Sequence, residues 1–272
     1  MEKIRRNERM SAMMKILTDA PNRIFTLSYF CELFGAAKST MSEDIDILRD
    51  VVKEFGLGEL ETVTGAAGGV RYRAVITRDA ARKYIADLSQ QLSGTSRVLP
   101  GGFLYSSDIL STPETVRRMG EIIATEYYAA APDFVLTMET KGIPVAMYTA
   151  NALGVPLVIA RHSSKVYEGS AVNINYVSGS NGHIETMSLS RRAVKEGQRT
   201  LIVDDFLKAG GTANGMLELM REFNVNVVGM AFVMETAAPA KKRVTDYKSL
   251  MVLDMAEEQS SAVIRPADWL MA

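Results

Sequence analysis

The segment Leu201-Ile202-Val203-Asp204-Asp205-Phe206-Leu207-Lys208-Ala209-Gly210-Gly211-Thr212-Ala213 holds the residues best suited to chemistry in this chain. Its apolar start reads as a buried strand over 200–203, with two adjacent acids at the carboxyl end. A short loop then leads to Gly210, Gly211 and Thr212, where helical periodicity begins. Glycine lets the backbone approach an anion closely, and the N–H groups and dipole of a helix start favour negative charge. Asp204 and Asp205 can accept hydrogen bonds from sugar hydroxyls. Acids for hydroxyls beside amides for a phosphate suit a sugar phosphate, and open α/β sheets bind ligands at the carboxyl ends of their strands. The plainer alternative is a strand–turn–helix whose acids only solvate the turn.

A second junction of this kind is Glu139-Thr140-Lys141-Gly142, between a strand over 134–138 and a helix that ends at Gly154. Lys141 and the loop amides are suitable anion partners. Arg161, His162 and Lys165 follow a strand over 156–160, as phosphate contacts or as a solvated basic loop. Phe103 and Tyr105 either cover a ligand or pack. The two histidines, His162 and His183, lack cysteine partners, so no metal-binding set and no catalytic triad assembles. Neither G-x-G-x-x-G nor G-x-x-x-x-G-K-[ST] is present, which leaves dinucleotide and P-loop chemistry without support.

These residues need a scaffold, and from Thr112 the chain supplies one. Thr112-Pro113-Glu114 starts a helix that runs to about residue 130. Strands over 134–138, 156–160, 200–203, 227–234 and 250–254 alternate with helices, which predicts a largely parallel sheet covered on both faces. Residues 170–178 and 183–190 alternate like an antiparallel pair around Gly179-Ser180-Asn181-Gly182. A capped amphipathic helix over 78–92, then Ser93-Gly94-Thr95-Ser96, marks a junction with what precedes it. The expected divisions are 1–76, a connecting helix and linker over 77–98, and 99–272.

The first 76 residues follow another pattern. Met10, Met13, Met14 and Leu17 predict a helix over 6–19. Leu27, Phe30, Cys31 and Phe34 predict a second, capped by Thr26 and ended by Gly35. Met41, Ile45, Leu48, Val52 and Phe55 form one face of a third, with Gly56 at its end. Extended segments over 60–64 and 70–76 flank Gly65-Ala66-Ala67-Gly68-Gly69, which reads as a hairpin with a glycine-rich tip. Three helices and a hairpin make a winged helix-turn-helix. Candidate DNA contacts are Arg5 and Arg6 at the start, Lys38, Ser39, Thr40 and Ser42 leading the third helix, and Arg71 and Arg73 on the wing. Residues 1–75 balance eleven cations against eleven acids, so no overall basic field assists, and Glu43, Asp44 and Asp46 are awkward near phosphates. Ala37 lacks the side-chain oxygen usual at a helix N-cap. A winged helix used only for protein contacts or dimerisation is the alternative.

At 272 residues the chain has room for two domains, and 47% hydrophobic with 23% charged residues is a globular composition. With a net charge of −1, neither disorder nor a strongly basic tail is indicated. One cysteine, Cys31, allows no disulfide within the chain and suits a reducing compartment. No apolar run reaches the ~20 residues of a membrane span, and the charged N-terminus lacks the apolar core of a signal peptide. A cytoplasmic protein without membrane contact is expected.

Asp204 to Thr212 resembles the 5-phosphoribosyl-1-pyrophosphate (PRPP) loop of type I phosphoribosyltransferases, and the element order over about 100–255 matches as well. The resemblance implies PRPP held by Asp204, Asp205, Phe206, Lys208, Ala209, Gly210, Gly211 and Thr212, acids on the ribose and amides on the 5′-phosphate. It also implies Thr140, Lys141 and Gly142 as the pyrophosphate loop, with Arg161 and Tyr105 covering the site. No cofactor is implied beyond Mg²⁺ arriving with the pyrophosphate. Two positions depart from the enzymes: a small residue is usual at Lys208, and threonine or serine at Ala209. A winged helix ahead of such a domain resembles the purine operon repressors of Gram-positive bacteria. Leu99-Pro100-Gly101-Gly102, Tyr167-Glu168-Gly169-Ser170, Tyr176-Val177-Ser178-Gly179-Ser180 and Thr186-Met187-Ser188-Leu189 extend that match. This family implies an α/β protein that is a homodimer, binds operator DNA, senses PRPP, and has lost transferase activity. Guanosine tetraphosphate is implied as a competitor, and the sign of regulation, repression or activation, stays open. The alternative is an active purine phosphoribosyltransferase with an N-terminal interaction domain.

Overall fold

The computed structural model describes residues 4–65, 68–94, 97–99, 103–163, 169–178, 182–255 and 262–272. The chain divides into two units, residues 1–77 with 151–154, and residues 78–150 with 155–272.

The first unit begins with helices α1 (Arg6–Asp19), α2 (Leu27–Phe34) and α3 (Lys38–Glu54). Thr26 caps α2 by accepting from the Tyr29 N–H at 3.1 Å, and Gly35, at φ +60°, closes it in the left-handed conformation that glycine tolerates. Strands β1 (Glu59–Val63) and β2 (Gly69–Arg73) then pair antiparallel, Leu60 opposite Tyr72. The tip residues 66 and 67 lie outside the described residues. Met13 and Leu17 of α1 meet Phe30, Phe34, Met41, Ile45, Leu48 and Val52, with Leu60 and Val70 closing the core from the hairpin. This is the expected winged helix. Phe55 is a correction: the helix ends at Glu54, Leu57 N–H folds back to the Val52 carbonyl, and Phe55 is left 67% exposed.

The second unit opens with α4 (Arg78–Leu92), β3 (Val98–Leu99), β4 (Phe103–Leu104), α5 (Ser107–Leu110) and α6 (Pro113–Tyr127). There follow β5 (Phe134–Met138), α7 (Ile143–Leu153), β6 (Leu157–Ala160), and a separate hairpin of β7 (Ala171–Val177) and β8 (Ile184–Ser190). Last come β9 (Arg199–Leu207), α8 (Gly211–Glu222), β10 (Asn226–Thr236), β11 (Tyr247–Met255), β12 (Ala262–Pro266) and α9 (Asp268–Met271). The main sheet has the order β12-β11-β10-β9-β5-β6, parallel except for β12. Every residue of β5 is buried, as befits a strand covered on both faces. Phe134, Leu136, Ile202, Met216, Leu219 and Phe232 centre the core. Helix α4 belongs to this unit: Ser93 Oγ accepts from the Ile264 N–H at 2.9 Å and Gly94 N–H bonds the Ala262 carbonyl, which ties the helix end to β12. Among the described residues no helix is long and apolar enough to cross a membrane.

Candidate functional site

Strands β5 and β9 are parallel neighbours, Leu136 opposite Ile202, so the segments leaving their carboxyl ends lie side by side. That adjacency places 139–142 beside 204–212. Strand β9 is longer than the sequence pattern indicates: pairing with β10 continues past Val203, Asp204 opposite Phe232 and Phe206 opposite Met234. The acids therefore sit within the strand, and only 208–210 are left to turn before α8. The ladder overrides their poor strand propensity and makes their placement rigid.

Asp204 is buried and Asp205 half-buried. A Cβ added at Gly142 would collide with the Asp204 carboxylate and come within 2.6 Å of Thr137 Oγ1, so only glycine lets the first loop close against the second. The Asp205 N–H donates to Asp204 Oδ1 at 3.0 Å. Burial and the charge of Asp205 hold the Asp204 carboxyl well above the usual carboxylate range. Burial also raises Asp205, opposed by its hydrogen bond with Asp204 and by the positive charge of Lys141. Hydroxyl donors are the kind of partner that satisfies buried carboxyl oxygens such as these.

Helix α8 starts at Gly211 behind its N-cap Gly210, whose φ of +82° is one that glycine tolerates, and no side chain caps the first amides. A first turn without a side-chain cap is what an anion can use. The turn is held from behind by the Arg243 N–H on the Ala209 carbonyl at 2.9 Å and by Thr236 Oγ1 on the Lys208 carbonyl at 3.3 Å. Lys208 is exposed, Phe206 is 37% exposed, and Ala209 and Thr212 are half-buried. The β7–β8 hairpin packs on this helix. A Cβ at Gly215 would lie 3.0 Å from Tyr176 Cγ, and the Tyr176 hydroxyl, engaged by Thr212, donates to Glu185 Oε2 at 2.7 Å.

Arg161 and His162, at the end of β6, both turn to Glu139. Arg161 Nη1 lies 3.2 Å from Glu139 Oε2, and the His162 N–H donates to Oε1 at 2.7 Å. Burial alone would raise Glu139, but these two donors bring it below its ordinary value. Thr140 and Lys141 are exposed. Tyr105 is held through its backbone by Arg97, its N–H donating to the Arg97 carbonyl at 2.8 Å and its carbonyl accepting from Arg97 Nη1 at 3.1 Å, and the residue is 46% exposed. Lys165 lies outside the described residues. Glu185 and Arg243 carry no signal in sequence, because each acts through a partner 9 or more positions away, Glu185 through Tyr176 and Arg243 through Ala209.

In the first unit, Lys38, Ser39 and Ser42 are exposed on the opening turns of α3 and Thr40 is half-buried. Arg5 is exposed at the start of α1, its N–H on Glu8 Oε2 at 2.9 Å. Three candidate contacts are engaged within the unit. Arg6 Nε donates to Asp44 Oδ1 at 2.8 Å, and Arg71 and Arg73 both meet Glu61 Oε2, at 2.8 and 2.9 Å. Asp44 is another correction. It is fully buried, held by Arg6 and by Arg9 Nε and Nη2, so it presents no charge to a phosphate.

Two family models match the chain: Bacterial purine repressor, N-terminal, over residues 5–74, and Phosphoribosyl transferase domain over residues 106–263. The chain is 43% identical over 262 residues to the probable purine biosynthesis transcriptional regulator PurR of Streptococcus pneumoniae serotype 4, covering 96% of this chain and 95% of that protein. The chain belongs to the PurR family of purine biosynthesis regulators. It is 41% identical to the PurR repressor of Bacillus subtilis strain 168, over 96% of this chain and 92% of that one. It is also 41% identical to the PurR activator of Lactococcus lactis subsp. lactis, over 92% and 93%. The PurR family thus contains relatives named for opposite signs of control. Adenine phosphoribosyltransferase from Giardia lamblia superposes with a TM-score of 0.53 at 23% identity, covering 62% of this chain and 97% of that one, a likeness of fold.

Proposed function

We propose that this chain binds operator DNA of purine biosynthesis genes through its winged helix, as a homodimer, and that PRPP occupies the 204–212 loop and weakens operator binding. The observation that carries this reading is the pair of adjoining strand-end loops. Asp204 and Asp205 suit ribose hydroxyls, the amides of Gly211 and Thr212 suit the 5′-phosphate, and Thr140, Lys141 and Gly142 suit the pyrophosphate. Magnesium would come with the pyrophosphate and keep mostly water ligands. Among the described residues, no group of three His, Cys, Asp or Glu side chains could hold a metal. Guanosine tetraphosphate offers the same kinds of phosphate and ribose and would compete. Lys208 and Ala209 depart from the enzymes in the loop itself, which favours binding without transfer.

The coupling is linkage: DNA and PRPP bind preferentially to different states of the protein, so each weakens the other. Anisotropy of purine-operon promoter DNA with the full chain, titrated with PRPP at fixed salt, tests it, since phosphate contacts make affinity salt-dependent. Specific binding that PRPP weakens supports the proposal; specific binding indifferent to PRPP removes the effector. Asp204→Ala with Asp205→Ala is expected to keep DNA binding and lose the response. The same acids and helix start would serve an active purine phosphoribosyltransferase, the second reading. Nucleotide formed from PRPP and adenine, guanine or xanthine would establish it.

A further inference from the structure

Three acids stand on the first half of α3, the helix placed to enter the major groove of a duplex. Two are accounted for inside the unit. Asp44 is buried between Arg6 and Arg9, and Asp46 is drawn along the helix to Arg49 Nη1 at 2.5 Å. Glu43 is different: its side chain is 71% exposed, with the Arg6 guanidinium at 3.8 Å. Helical spacing sets Glu43 on the exposed stripe of Ser39, Ser42 and Asp46, away from buried Met41, Asp44, Ile45 and Leu48.

A carboxylate on that face has only acceptor oxygens to offer and is repelled by phosphates. The major groove presents two amino donors, N4 of cytosine and N6 of adenine. Adenine sets its N7 acceptor beside that amino group, which opposes a carboxylate and favours an amide; cytosine shows the donor alone. Arg6 is fixed by its Nε on Asp44, so its other nitrogens stay near Glu43 and offset the repulsion. We infer that Glu43 is a base-reading residue that selects cytosine in each half-site, with Arg6 as its positioning residue. The inference rests on the proposal that this unit binds operator DNA.

The test is selection of duplexes from a randomised pool by the full chain, followed by anisotropy on the selected sequence and its single-base variants. The parent is expected to enrich cytosine at one half-site position. E43A is expected to lose about tenfold or more of the discrimination there and to keep it elsewhere. E43Q is expected to move the preference to adenine, because an amide satisfies both N6 and N7. Enrichment of cytosine by E43Q, or an unchanged base profile with tighter binding to every duplex by E43A, overturns the inference and leaves Glu43 a repulsive charge. A parent that enriches no sequence overturns the DNA-binding proposal itself, an outcome separate from any effect of the variants.

Discussion

Gly142 is required by what stands opposite it, since any Cβ would strike the Asp204 carboxylate. Gly142→Ala is expected to cost about 1–3 kcal/mol by overpacking and to weaken PRPP binding by about tenfold or more, read by calorimetry on the folded variant. PRPP affinity equal to the parent's would remove the loop contact from the site. The Asp204 carboxyl makes a second prediction. Burial and Asp205 raise its pKa in the folded state, so the folded protein holds that proton more tightly than the unfolded chain. The stability this group contributes is complete below the ordinary carboxylate range and is lost as pH rises through the raised folded value. Asp204→Asn keeps the acceptor for the Asp205 N–H and removes the titration. Its Tm should exceed the parent's at neutral pH, with the gap closing in acid. A gap independent of pH would assign the difference to packing instead.

At the level of elements, the long periodic segments were legible and the terminal or paired ones were not. Thr26 and Gly35 bracket α2 as their chemistry requires, and Thr26→Ala is expected to lower stability by about 1 kcal/mol, measured by denaturant unfolding. The ion pair that locks α1 to α3 has no local signal, because Asp44 lies 35 positions from Arg9 and reads as one more surface acid. Asp44→Ala would leave the buried Arg9 uncompensated, at about 3–5 kcal/mol. A Tm close to the parent's would show that Arg9 finds water instead. Strand β12 has little local signal for a related reason. It is five residues long, with Ala262 and Ile264 inward and Val263 and Arg265 outward, and it is stabilised by β11 and the end of α4.

For the whole molecule, the proposed coupling makes a quantitative demand: the factor by which PRPP weakens operator binding must equal the factor by which operator DNA weakens PRPP binding. Titration of PRPP into the protein with and without saturating operator checks this, and unequal factors would reject a two-ligand linkage. The winged helix, the α/β alternation and the Asp-Asp-to-Gly-Gly-Thr loop are legible along the chain, because periodicity, caps and glycines act over a few residues. Which of these meet depends on long-range pairing. Parallel pairing of β5 with β9 brings Gly142 against Asp204, and extension of β9 along β10 turns the two acids from loop into strand. Burial of Asp44 and pairing of Arg71 and Arg73 with Glu61 changed which charges the first unit presents. Such choices depend on contacts between residues distant in the chain, and the energy that sets them appears only when the partners are in place.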